Sequence, residues 1–211
     1  MDTLFPLLIA GTVGFSHAFE VDHLVAVSSL VTRRHTLQAS LKDGIFWGLG
    51  HTSTILLIGM LMIFMKVSIS EQAFEYLEAC VGAMLIGLGI HRVWKMRQQE
   101  EVHRKEHLHA LTPHHHRAAY GVGLVHGLAG SGALVLLVMA QLNGNWESIL
   151  YLIIFGIGSI FGMMLASGLF SLPFSKKMGN GFKWGFWLTW LSSGLCIFWG
   201  LRIIYQNLLG A

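Results

Sequence analysis

The chain has 211 residues, of which 54% are hydrophobic and only 12% charged, with a formal net charge of +3. A soluble domain carries about 25% charged and 45–50% apolar residues, so this composition excludes an ordinary soluble fold and indicates a membrane protein. The excess Lys and Arg fall in connections between apolar segments, which fits membrane orientation rather than a nucleic-acid surface.

Six apolar segments are predicted as helices, at about 4–30, 44–65, 74–94, 118–142, 149–172 and 184–205. Each meets the about 20 helical residues needed to cross a hydrocarbon core. The first follows Met1-Asp2-Thr3, which lacks a basic leader region. Its apolar run exceeds the roughly 7–15 residues of a signal peptide, so it is expected to persist as a helix.

That first segment contains His17-Ala18-Phe19-Glu20-Val21-Asp22-His23. Ionisable groups are costly at membrane depth, and function is their default explanation. Imidazoles and carboxylates together hold borderline divalent transition metals. In a regular helix His17, Glu20 and His23 share a sector of about 120°, whereas Asp22 projects about 140° away from His17. Either other helices complete the site, or this helix is irregular, with Gly11 and Gly14 as permissive points.

The second segment carries His51 within Gly48-Leu49-Gly50-His51. At about 1.5 Å per residue, it reaches a depth similar to His23 and to His126 of the fourth segment. A site built from His17, Asp22, His23 and His51, with Glu20 and His126 as further candidates, is therefore expected. Glu20 is open to three roles: ligand, orienter of an imidazole, or proton carrier.

Glu75 and Glu78 open the third segment, where they would cap a helix N-terminus or gather cations. The connection at about 96–117 holds His103, His107, His109, His114, His115 and His116, after His91 at the preceding helix end. These are seven of the twelve histidines in the chain. They form an accessory stretch suited to metal buffering or sensing. His126 precedes a run of small residues from Gly127 to Ala133, which favours close helix packing or a local break exposing carbonyls. Cys80 and Cys196, in the third and sixth segments, read as small buried hydrophobes.

The halves resemble each other. A shift of 109 residues sets Gly14-Phe15-Ser16-His17 against Gly123-Leu124-Val125-His126, and a shift of 108 sets Gly48-Leu49-Gly50-His51 against Gly156-Ile157-Gly158-Ser159. The expected fold is an all-α integral membrane protein with six transmembrane helices as two inverted three-helix repeats, at about 4–95 and 118–206. It is read as a single transporter domain. The predicted first, third and fifth connections hold 12 of the 14 basic residues, leaving Lys66 and Arg202 opposite. The cytoplasmic membrane is the expected location, with both termini extracytoplasmic.

The pattern His-Ala-Phe-Glu-Val-Asp-His closely resembles the H-x4-D-H signature of the nickel/cobalt transporter family. Gly48-Leu49-Gly50-His51-Thr52-Ser53-Thr54 resembles that family's second motif. The short length and the run from His126 to Gly132 look most like its UreH-like members, found with urease systems. The resemblance implies movement of nickel or cobalt, with His17, Asp22 and His23 as signature residues and His51 as the second-motif ligand. Departures are the shorter chain and Glu20 in place of the commoner Asp.

The expected function is secondary transport of divalent nickel or cobalt, inward, with efflux as the alternative. A membrane thiol electron carrier would need reactive cysteines in the first and fourth segments, which hold histidines instead. A membrane metalloenzyme is disfavoured by the lack of HExxH and of a substrate domain. No enzyme activity, nucleotide site or tightly bound cofactor is expected. The partners are the divalent ion and lipid, without nucleic acid, and a homo-oligomer is compatible with the sequence.

Overall fold

A computed structural model of the chain describes residues 4–31, 36–66, 70–102, 115–128, 145–172 and 182–210. The regular structure among them is helical: α1 (Leu4–His17), α2 (Val21–Val31), α3 (Leu37–Met65), α4 (Glu71–Val102), α5 (His115–His126), α6 (Asn145–Ser171) and α7 (Phe182–Leu208). Local chemistry sets several boundaries. The extended Thr36 accepts from the Ala39 amide at 3.4 Å to open α3, and Ser70 accepts from the Ala73 amide at 3.3 Å to open α4. α3 stops where Lys66 turns left-handed, with φ 51°, a common helix termination.

The first predicted segment is not one helix. Phe19 N–H donates to Ser16 O at 2.9 Å and Glu20 N–H to His17 O at 3.0 Å, a tightened turn, before Leu24 N–H to Glu20 O resumes helical spacing. The break falls at Ala18–Glu20 rather than at Gly11 or Gly14. A similar turn follows α5, where Leu128 N–H donates to Val125 O at 3.1 Å. The helix of the fourth predicted segment is described from His115 to His126, and the turn to Leu128; the segment beyond 128, including most of the small-residue run, lies outside the described residues. α4 continues to Val102, so the stretch expected as a connection is helical at both ends.

Among the described residues four helices are long and apolar enough to cross a membrane: Leu37–Met65, Glu71–Gln98, Asn145–Ser171 and Phe186–Leu208. The two short apolar helices α1 and α2 divide the first expected span. Leu57, Phe64, Phe161, Leu191 and Phe198 are exposed, an apolar exterior that suits hydrocarbon rather than water. This is a multi-pass membrane protein.

α3 is central, packed along both α5 and α6, while α1 packs on α6 and α4 on α7. Two close backbone approaches recur at the repeat spacing. A Cβ on Gly14 of α1 would strike the Phe155 carbonyl of α6, and one on Gly123 of α5 would strike the Trp47 carbonyl of α3. Likewise Gly158 faces the Gly11 carbonyl, and Gly50 that of Tyr120. Residues 14 and 123, like 11 and 120, are 109 apart; 47 and 155, like 50 and 158, are 108 apart. Small residues let helix axes approach where no hydrophobic force drives them together.

Hydroxyls seal the same seams. Thr52 donates to Gly156 O at 3.2 Å, Ser159 to Gly14 O at 3.1 Å and Thr54 to Leu124 O at 2.9 Å. The Cys196 thiol is buried on Val25 O at 3.3 Å, in keeping with its expected packing role, whereas Cys80 lies on an exposed face of α4.

Candidate metal centre

The break between α1 and α2 solves the aiming problem of the first motif. α1 ends on His17, and α2 restarts with Asp22 and His23 in its first turn, so the two imidazoles need not follow one helical screw. Their rings meet edge to face, centroids 4.4 Å apart. α3 supplies His51, 5.3 Å from His17 and 5.2 Å from His23 between centroids. α5 ends on His126, 4.1 Å from His23. All four imidazoles are at most 3% exposed.

Two overlapping donor triads result. His17, His23 and His51 form one, and Asp22, His23 and His126 the other, with donor atoms in each within 4.8 Å of one another. A metal–nitrogen bond of about 2.1 Å spaces ligands by at most about 4.2 Å, so tenths of an ångström of inward movement would suffice.

The carboxylates set the rings' polarity. Asp22 contacts His126 Nε2 at 2.8 Å and His23 Nδ1 at 3.2 Å, while Glu20 lies 2.9 Å from His17 Nδ1. A carboxylate hydrogen-bonded to one ring nitrogen holds the proton there and presents the lone pair of the other, as Asp22 does for His23 and His126, whereas Glu20 approaches His17 without hydrogen-bond geometry. The nitrogens left without a hydrogen-bond partner among the described residues include both of His17, His23 Nε2, both of His51 and Nδ1 of His126. A buried unpaired polar atom costs about 1–3 kcal/mol, so several in one place mark a site built to receive something polar. Neutral imidazole nitrogens suit a divalent transition ion. The C-termini of α1 and α5, at His17 and His126, add partial negative charge, which favours a cation.

Glu20 is nearly half exposed at the break, a position suited to orienting His17 more than to enclosing an ion. Glu20→Gln is expected to weaken binding of a divalent transition ion about tenfold without abolishing it, read by equilibrium dialysis of the purified protein with nickel chloride. Complete loss would make Glu20 indispensable to the site; unchanged affinity would remove it from the site.

Sequence reasoning missed the aromatic walls. Trp47 of α3 stacks 5.6 Å from His23 and 5.8 Å from His126, and Phe155 of α6 lies 5.8 Å from His17. Their positions differ by 108, so the repeat spacing offered the signal. It also missed Asp43, buried on α3 and 2.8 Å from His116 Nδ1 of α5. His116, expected in the accessory stretch, is thus on a helix and paired; His115 opens the same helix. His103, His107, His109 and His114 lie outside the described residues. His91 sits beside Trp94 on α4, and Glu75 and Glu78 lie in the first turns of that helix; none of the three belongs to either triad.

Two curated proteins give significant matches. The chain is 38% identical over 182 residues to urease accessory protein UreH of Bacillus sp. (strain TB-90), covering 83% of this chain and 80% of that protein. It is 30% identical over 198 residues to a protein of Methanocaldococcus jannaschii provisionally named a nickel/cobalt efflux system, covering 85% and 83%. The chain belongs to the nickel/cobalt transporter family. Within that family it is UreH-like, as the motifs around His17 and His126 imply. No protein-family profile matches this chain, and no solved structure gives a significant match. Both relatives are named for accessory or transport roles, neither for catalysis.

Proposed function

We propose that the protein is a secondary carrier of divalent nickel or cobalt in the cytoplasmic membrane, working inward through His17, Asp22, His23 and His51, with His126 as a further donor and Glu20 as orienter. The observation that carries this reading is the cluster of four buried imidazoles, on four helices, tied together by carboxylates. Such a cluster inside a lipid-facing bundle is costly unless an ion passes through it.

The wider architecture belongs to the same proposal. The chain forms two inverted three-helix repeats with both termini outside the cytoplasm, supported by the reciprocal glycine approaches and the matching turns after His17 and His126. The α3–α5 and α1–α6 seams are then equivalent and would open on opposite sides in alternation. The histidine-rich stretch from His103 to His116 acts as an accessory buffer on the cytoplasmic side.

Inward movement is adopted because the more similar relative is named for an accessory role to an enzyme; efflux, the name of the second relative, is the competing direction. Cells producing the protein are expected to accumulate more nickel and cobalt than cells lacking it, and lower accumulation would reverse the direction. A cysteine introduced at position 104 is expected to be shielded from an impermeant thiol reagent added outside; labelling from outside would overturn the orientation and the sides assigned to the repeats.

A further inference from the structure

A second ionisable pair lies apart from the imidazole cluster. Asp43 is 4% exposed on α3. Its Oδ1 meets Nδ1 of His116 on α5 at 2.8 Å. Phe46 stacks on the His116 ring, centroids 5.1 Å apart at 17°. Phe46, His116, Arg117 and Tyr120 line an open cleft of about 360 Å³ that reaches the pair through His116, Asp43 not being on its wall; it is roomy enough for an ion with several of its waters. Burying a carboxylate within an apolar helix is costly and is better explained by function than by packing.

The pair is in register with the deeper site. Asp43, Trp47 and His51 follow one another at four-residue intervals on α3, which places them on one face. His116 and His126 lie in the same order on α5. Eight helical residues separate Asp43 from His51, about 12 Å, and Trp47 stands between them, fully buried against His23 and His126.

We infer that Asp43 and His116 form a second, shallower cation station for the same divalent ions, separated from the imidazole cluster by Trp47; the inference rests on the carrier reading above. One carboxylate and one imidazole can hold a divalent transition ion that keeps the rest of its water shell. Arg117 on the cleft wall weakens retention by like charge, which suits a station that passes its ion on. His116 also ends the series of histidines that begins at His103, so the station stands where that stretch meets the helices. Its repeat counterparts on the α1–α6 seam are Leu7 and Tyr151, which offer no such donor pair. The station therefore belongs to one mouth only.

The test uses the full-length protein with His103, His107, His109, His114 and His115 replaced by Asn and the deep cluster disabled by replacing all four of its imidazoles, His17, His23, His51 and His126, with Ala. Equilibrium dialysis with nickel chloride should find one weak equivalent. Asp43→Asn and, separately, the half-accessible His116→Gln should each weaken it at least tenfold, while Asp43→Glu retains it. Monodispersity on size exclusion identifies folded variants, and His116→Gln keeps the test open if Asp43→Asn misfolds. No bound nickel in the starting protein, or binding indifferent to both substitutions, overturns the station and leaves the pair a latch between α3 and α5. Failure of the carrier reading is separate: it would appear as no nickel or cobalt flux in the unmodified protein, whatever the dialysis finds.

Discussion

Alanine at His23 or His51 is expected to reduce nickel and cobalt flux to background, a fall of at least about 100-fold, with the protein still inserted. Losing a residue that merely orients a ligand already costs about 10–100-fold in affinity or activity, and these two rings contribute directly to the donor set. His23 belongs to both triads. His51, on a long unbroken helix, provides two buried nitrogens without partners among the described residues. Replacing His51 removes polar atoms that nothing among the described residues pairs, and replacing His23 gives up one contact, with Asp22, so the bundle should tolerate either change. Asp22→Ala should be as damaging to flux but less benign to the fold, because it leaves both His126 and His23 without their carboxylate. Metal accumulation, measured beside the amount of membrane-inserted protein, decides the matter. Near-normal flux in both His23→Ala and His51→Ala would remove the cluster from the path.

The second large effect is architectural. Gly14→Ala and Gly123→Ala should each destabilise the purified protein by about 1–3 kcal/mol, and they should do so alike. In each, the added methyl meets a backbone carbonyl, of Phe155 or Trp47, that cannot rotate away. The helices must separate, and the neighbouring aromatic wall moves with them. Gly87→Ala is the control, because nothing lies within 4 Å of its Cβ position. Thermal denaturation in detergent measures all three. If Gly14→Ala matched the control, α1 and α6 would not be in the tight contact described.

The sequence was informative about the site because charge is conspicuous in an apolar chain. His17, Asp22, His23, His51 and His126 were all recognisable from depth and residue type, and the structure gathers them at one locus. The sequence offers a break only as an alternative and points to Gly11 and Gly14 for it, whereas the structure breaks at Ala18–Glu20 and uses both glycines for close packing against α6. Glycine in a membrane helix signals a near neighbour as readily as a bend, and composition alone does not separate the two. Trp47 and Phe155 were hidden for the opposite reason, since aromatic residues are unremarkable in such segments until the repeat spacing pairs them. Asp43 sat at the edge of a predicted span and was not distinguished from a solvated helix end.

The sharing of His23 between the two triads limits what the cluster can hold. Two doubly charged ions about 5 Å apart, at an effective dielectric near 20, would repel by about 13 kcal/mol, and they would compete for the same ring. In the proposed carrier the cluster is therefore a single-occupancy compartment. An ion passing from the His17 side to the His126 side would meet His23 in both triads, so it would not have to leave the neighbourhood of every protein ligand at once. Each cycle would then carry one ion, and flux through this compartment should rise with concentration as a simple hyperbola.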